Sequence, residues 1–208
     1  KNYPWSNISN FDHWQYGTSY SYLKDISNYW VSDFDWQKVQ NKINNFSNFK
    51  TNVDGIDIHF IKEEGSGTNP KPLFLMHGWP GSIVEFLEII EPLAHPEQFG
   101  GSIEDAVTVI APSLPGFGFS DAPPKPYGPR KIAEVFNKMM IKNLGYKKYV
   151  AQGGDWGATI ANWIAHDHSK NCKAIHINCL TMRHADGPKT DEETQWLKKF
   201  DEDKVIKD

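Results

Sequence analysis

The sequence predicts an α/β fold around a mainly parallel sheet, and three observations predict it. Short apolar runs at 72–76 and 106–111, the second interrupted only by Thr108, have the length and character of strands buried on both faces. Segments of helical length and pattern lie between the strand-like runs, and parallel strands need crossovers of that length. The 208 residues amount to one domain, with or without an appendage, and are enough to bury a core.

The elements follow in order. The first fifty residues carry 13 of the 28 aromatics, among them Trp5, Trp14, Trp30 and Trp36, set in Asn and Ser. Each ring has about 150–250 Å2 to bury. Residues 1–52 are therefore expected to form an aromatic-rich meander with one or two short helices, wrapped around a larger body. Trp36, Val39, Ile43 and Phe46 fall at helical spacing there, with Ser32 or Asp33 as cap. Val53, Ile56, Ile58 and Phe60 mark a strand about the Asp54-Gly55 turn. Residues 65–70 read as a loop, and 72–76 as the first buried strand. A helix is predicted over 82–95, with Ser82 as cap, Glu85 three residues on, and Ile83, Phe86, Leu87 and Ile90 on its apolar face. The strand at 106–111 follows. Then comes a helix over 129–144, with Pro129 in its first turn and Gly145 at its end. Strand 148–153, helix 156–167 and strand 172–178 complete a core placed at 53–180. The charged segment 181–208 holds one more helix, with Thr190 or Asp191 as cap and Trp196, Leu197 and Phe200 within it.

Composition narrows the function classes. Lys and Arg total 22 against 26 Asp and Glu, for a net charge of −4. That balance argues against nucleic acid and anionic membrane surfaces as partners. No run approaches the ~18 apolar residues of a membrane span, so membrane association is not indicated. Cys172 and Cys179 are too few for a disulfide framework and read as free thiols, which leans toward a reducing, cytoplasmic setting. The chain starts at Lys1 rather than Met, so a lost N-terminal segment is left open. His166 and His168, two apart on a helix, face different ways, and no Cys/His ligand spacing occurs. Neither a metal nor a cofactor is expected.

Two motifs carry chemistry. Gly153-Gly154-Asp155-Trp156-Gly157 lies between a strand and a helix. It has the small-x-nucleophile-x-small form of a nucleophile elbow, with Asp in the central place. The turn would present the carboxylate at the carboxyl end of the sheet and at a helix N-terminus, which favours its ionised form. The pentapeptide alone fits equally well an Asp155 that merely caps the helix. The second motif, His77-Gly78-Trp79-Pro80-Gly81, directly follows the apolar strand. A loop in that place supplies one backbone N–H of an oxyanion hole, and the residue after the nucleophile supplies the other. The donors would be the amides of Trp79 and Trp156, with a cis Trp79–Pro80 peptide aiming the first. His77 is expected to tie the loop to backbone rather than to act as a base. Between the motifs, Pro112-Ser113-Leu114-Pro115-Gly116-Phe117-Gly118-Phe119-Ser120-Asp121 reads as a turn. Phe117, Phe119 and Trp156 suggest an apolar entrance or simple core filler.

With both motifs in this order, the chain resembles the epoxide hydrolases of the α/β-hydrolase superfamily, specifically the microsomal-type branch with its N-terminal epoxide hydrolase domain. Tyr29-Trp30, Phe34-Asp35-Trp36, Phe49-Lys50 and 54–60 look like that domain, His77-Gly78-Trp79-Pro80-Gly81-Ser82 like the oxyanion loop, and 153–157 like the elbow. The resemblance implies hydrolysis of a small hydrophobic epoxide to a vicinal diol without a cofactor. Asp155 would be the nucleophile, Trp79 and Trp156 the oxyanion donors, His77, Gly78 and Pro80 the supporting loop, and Trp156 and Phe119 substrate contacts. It also leaves room for a homodimer of a full-length protein.

In that family the base histidine, its acidic partner and the cap tyrosines follow the elbow's next strand. His166, His168, His176 and His184 do not occupy such a place, and Asp186 and Glu192 read as surface or capping residues. The expectation is an N-terminal portion of a longer enzyme: an incomplete sheet, the start of a cap at 181–208, and no complete turnover by this chain alone. Two other readings stand beside it. A haloalkane dehalogenase uses a similar elbow but usually offers Asn or Glu where this loop has Trp79. A non-catalytic hydrolase-fold protein would only bind a ligand.

Overall fold

A computed structural model of the chain describes residue 14, residues 17–179 and residues 187–205. Trp5, His184 and Asp186, named above, lie outside the described residues. The chain divides into two compact units, Lys1–Asn45 and Phe46–Asp208.

In the first unit the described residues form two helices, α1 (Tyr20–Ser32) and α2 (Trp36–Asn44). Ser19 caps α1 by accepting from the Tyr22 amide, and Asp35 caps α2 by accepting from Lys38. The sequence suggested Ser32 or Asp33 as the cap of the second helix. Asp33 instead closes α1, its amide donating to Tyr29 O at 2.8 Å. Trp14 packs on Tyr22 with ring centroids 5.0 Å apart, and Tyr29 meets Phe34 edge-on. Trp30 is 71% exposed, so the burial expected of these rings is not general.

The second unit is built on a six-stranded sheet of β1 (Asn48–Val53), β2 (Ile56–Glu63), β3 (Lys71–Met76), β4 (Val107–Pro112), β5 (Tyr149–Gly153) and β6 (Cys172–Ile177). Their spatial order is β1-β2-β4-β3-β5-β6. β1 and β2 form an antiparallel hairpin across Asp54-Gly55, and β2 also runs antiparallel to β4. The neighbours β4–β3, β3–β5 and β5–β6 are all parallel. The α/β fold with a mainly parallel sheet is therefore as expected, with an antiparallel flank.

Alternation along the strands sends side chains to two covered faces. Phe74 and Met76 join a core with Ile132, Val135 and Phe136 of α4 (Pro129–Lys138) and Ile160, Ala161 and Ile164 of α5 (Trp156–Asp167). Leu75, Ile61 and Val109, also buried, alternate to the opposite face, where the segment carrying Ile83, Phe86 and Ile90 lies against β4 and β2. That segment is not the single helix predicted over 82–95. It is a 3-10 turn, Ile83–Phe86, followed by the short α3 (Ile90–Ala94). Pro92 is the reason. It has no N–H to donate, and its ring would clash with the Glu88 carbonyl of a continuous helix. The helix predicted over 129–144 is α4 extended by a π turn, Met139–Asn143, and Gly145 follows it at φ 77°. In the charged C-terminal stretch, α6 (Asp191–Val205) opens on Thr190, whose Oγ1 accepts from the Glu193 amide.

Candidate active site

β3 and β5 are adjacent and parallel, so their carboxyl ends stand side by side, with Met76 paired to Gly153. The two motifs begin at those ends. Asp155 takes φ 49° and ψ −120°, a left-handed conformation that costs a non-glycine residue energy and recurs at functional corners. The turn is tight because strand and helix nearly touch. A Cβ on Gly157 would run into the carbonyl oxygen of Met76 in β3.

The Asp155 side chain does not cap α5, for it makes no bond to that helix's first-turn amides. It turns to the neighbouring loop, where Oδ1 accepts from the Trp79 amide at 2.7 Å. Gly78 makes the approach feasible, since a Cβ there would lie 2.5 Å from the Asp155 Cβ and 2.7 Å from Oδ1. Trp156 is the first residue of α5, where a helix has no partner of its own for the backbone N–H. The Trp79–Pro80 peptide is cis.

His77 holds this loop from below and is fully buried. Its Nδ1 lies 2.9 Å from Gly78 O, and its Nε2 is 3.0 Å from the donating Leu114 amide. A ring that accepts at Nε2 and meets a carbonyl at Nδ1 is neutral with its proton on Nδ1. Burial lowers its pKa, which favours the same state. With both nitrogens engaged by backbone, His77 supports the loop and has no lone pair for base catalysis.

An open cleft of about 440 Å3 lies over the corner, lined by Gly78, Trp79, Pro80, Gly81, Glu85, Gly154, Asp155 and Asn178. The structure thus brings together Asp155, Trp79, Pro80 and Gly78 from the predicted set. Trp156 is half exposed at the start of α5. Phe119 is not on the cleft and packs edge-on against His59 at 5.1 Å. Sequence reasoning missed Glu85 and Asn178. Glu85 looked like part of a helix cap and Asn178 like the end of a strand. The register of β6 against β5, which pairs Ile177 with Gly153, is what carries Asn178 to the elbow.

None of the described histidines lines the cleft. His166 pairs with Asp167 near the end of α5, and His176 sits exposed on β6. Among the described residues no group of three or more His, Cys, Asp or Glu is placed to hold a metal ion. No described helix is long and apolar enough to cross a membrane. Cys172 and Cys179 are both free thiols.

The chain is similar to known proteins. A family model described as epoxide hydrolase N terminus matches residues 1–86, and one described as alpha/beta hydrolase fold matches residues 71–204. Epoxide hydrolase 1 of Oryctolagus cuniculus is 42% identical over 78% of this chain and 37% of its own length. Juvenile hormone epoxide hydrolase of Bombyx mori is 37% identical over 78% of this chain and 35% of its own. The crystal structure of the Bombyx mori enzyme superposes with a TM-score of 0.72 at 35% identity, covering 84% of this chain and 47% of that one. The Aspergillus niger epoxide hydrolase structure gives 0.74 at 33% identity, covering 86% and 46%. The chain spans less than half the length of each of these relatives. One expectation is corrected by these matches. The narrower resemblance to the microsomal-type branch does not hold, because the matching models describe the fold and the epoxide hydrolase N terminus. The relatives in turn range over mammalian, insect and fungal enzymes, so the similarity reaches the epoxide hydrolases and singles out no membrane-bound branch.

Proposed function

The chain belongs to the α/β-hydrolase family, among its epoxide hydrolases, and on that premise we propose that Asp155 is the nucleophile that opens a small hydrophobic epoxide. The carboxylate attacks a ring carbon, the carbon–oxygen bond of the ring breaks, and the freed oxygen takes up a proton from solvent water, which reaches the open cleft. The product is a hydroxyalkyl ester of Asp155. A carboxylate suits this chemistry because the ester it forms at saturated carbon retains a carbonyl that water can attack in a second step. Release of a vicinal diol then restores Asp155. The amides of Trp79 and Trp156 are the proposed donors to the tetrahedral oxyanion of that second step, and one such donor is typically worth about 10²–10³ in rate.

The observation that carries the reading is the 2.7 Å bond from the Trp79 amide to Oδ1 of an Asp155 held at positive φ and uninvolved in capping its helix. An aspartate serving only to stop a helix would spend its side chain on α5. The hydrolytic half is assigned no base among the described residues, since His77 is committed to backbone at both nitrogens.

The test is incubation of the chain with styrene oxide, followed by mass spectrometry of the intact protein and its peptides. The expected result is one adduct, on Asp155, that persists, and none in Asp155→Asn. A folded sample without an adduct overturns the proposal in favour of a binding protein. Release of halide from a haloalkane in place of epoxide opening would make it a dehalogenase.

A further inference from the structure

Two residues of the cleft wall have no part in the proposed chemistry, Glu85 and Asn178. Glu85 is the more telling because it is charged. It stands in the 3-10 turn after the oxyanion loop, its amide donating to Ser82 O at 3.1 Å. Its carboxylate folds back over Gly81, where Oε1 occupies the space that a Cβ on that residue would need. This brings a second carboxylate to the wall that already holds Asp155. Glu85 accepts no hydrogen bond and forms no ion pair among the described residues, unlike Glu63, Glu64, Glu97, Glu134 and Glu193. Among the described residues, no Lys or Arg lines the cleft to offset it. The other lining groups are the uncharged Asn178 amide, the Trp79 and Pro80 rings, and glycine backbone.

We propose that Glu85 is a specificity-determining residue that screens epoxides by charge, admitting uncharged ones and excluding those that bear a carboxylate. The inference rests on the reading of this cleft as the epoxide site and deepens it by naming the substrate class. A negatively charged substrate meets two carboxylates, Asp155 with its Trp79 amide donor and Glu85 without a described partner, in a cleft with low-dielectric walls, which focus the field. An ester or amide of the same shape meets none of that repulsion. Asp155 must remain to react, so Glu85 is the part of the filter that substitution can remove. Because the cleft is open to solvent, the effect is also salt-dependent, falling as the screening length drops from about 10 Å at 0.1 M to about 3 Å at 1 M.

The experiment uses the 208-residue chain and two probes of one shape, 3-phenylglycidamide and 3-phenylglycidate. The quantity read is the ratio of their rates of Asp155 labelling by mass spectrometry. The glycidate is expected to lag in the wild type. Glu85→Gln should raise the glycidate-to-glycidamide ratio about 3- to 10-fold at low salt, as expected for removing one nearby charge at an effective dielectric of about 20. The gain should shrink in 1 M salt. Glu104→Gln, which removes the same charge away from the cleft, should leave the ratio where it was. An unchanged ratio in Glu85→Gln overturns the inference. If neither probe labels Asp155, the nucleophile reading fails by itself, and the filter is read from the unreactive pair phenylacetamide and phenylacetate. Their affinities are followed by NMR shifts of the Trp79 indole, assigned with Trp79→Phe. The same rise in Glu85→Gln supports the filter, and no change overturns it.

Discussion

The loops that leave β3 and β4 start from neighbouring strands, each rests on a buried histidine, and the first frames the cleft over Asp155. His77 is held by two backbone groups, Gly78 O and the Leu114 amide, one of them in each loop. It fixes main-chain shape, and Phe117 of the second loop packs edge-on against its ring at 5.7 Å. His59, in β2, is held by two side chains, Ser113 Oγ at its Nδ1 and Asn48 Oδ1 at its Nε2, both at 2.9 Å. Around it the second loop is stitched down. Ser113 donates its amide to His59 O, Ser120 Oγ accepts from the His59 amide, and Asp57 and Asp121 exchange two more bonds. Phe119 then lies over the ring. Both rings are covered by a phenylalanine of the second loop, so the difference lies in their partners: backbone ties at His77 join the main chains of the two loops, and side-chain ties at His59 fasten the second loop to β1 and β2.

The largest effect is expected at Gly157. Alanine there drives a Cβ into the Met76 carbonyl and should destabilise the chain by about 3 kcal/mol or more, seen as a large drop in the denaturant midpoint. Gly78→Ala is subtler for the fold and harsher for the chemistry. Its Cβ displaces Asp155, and styrene oxide labelling should slow by about 10²-fold, the scale of a 1 Å misplacement.

The other loop is probed by pH. Burial, with Lys50 nearby, lowers the His59 pKa from 6.5 to about 4. The unfolded chain takes up a proton near pH 6.5 that the folded one refuses until about pH 4. Stability from this group is therefore complete above pH 6.5 and is lost as pH falls toward 4, in all about 3 kcal/mol at about 1.4 kcal/mol per unit. Urea unfolding at several pH values should show that slope, and His59→Gln should flatten it. His77, whose pKa is also lowered, adds to the loss in the same direction. The smallest effect belongs to Phe119→Ala. The ring is 45% exposed and away from the cleft, so about 1 kcal/mol of stability should go while labelling of Asp155 changes less than about twofold.

Much of the site corner was legible in the residues. Glycines flanking Asp155 and an apolar run before His77 announce a strand–turn–helix and a strand–loop, because each pattern is local and sterically forced. The broken helix at 82–95 was less legible, although Pro92 stood in plain sight, because Ser82, Glu85 and the apolar spacing all favour a longer helix. Helix α1 was expected only as one of one or two short helices without bounds, and the role of Asp35 was missed, where aromatic content hid the periodicity. Glu85 and Asn178 could not have been placed, since nothing in their own neighbourhoods points to the cleft.

What the sequence determined by itself was whatever depends on neighbours along the chain: the order of the strands and of the helices after residue 128, the tight corner around Asp155, and the tie of His77 to its loop. Only the tertiary structure decided which ends meet. The register of β3, β5 and β6 brings Trp79, Asp155 and Asn178 to one cleft, and the fold-back over Gly81 adds Glu85. Phe119 goes instead to His59. The physical reason is that strand pairing and packing join residues some 75 positions apart by complementarity of surfaces, which no local pattern encodes.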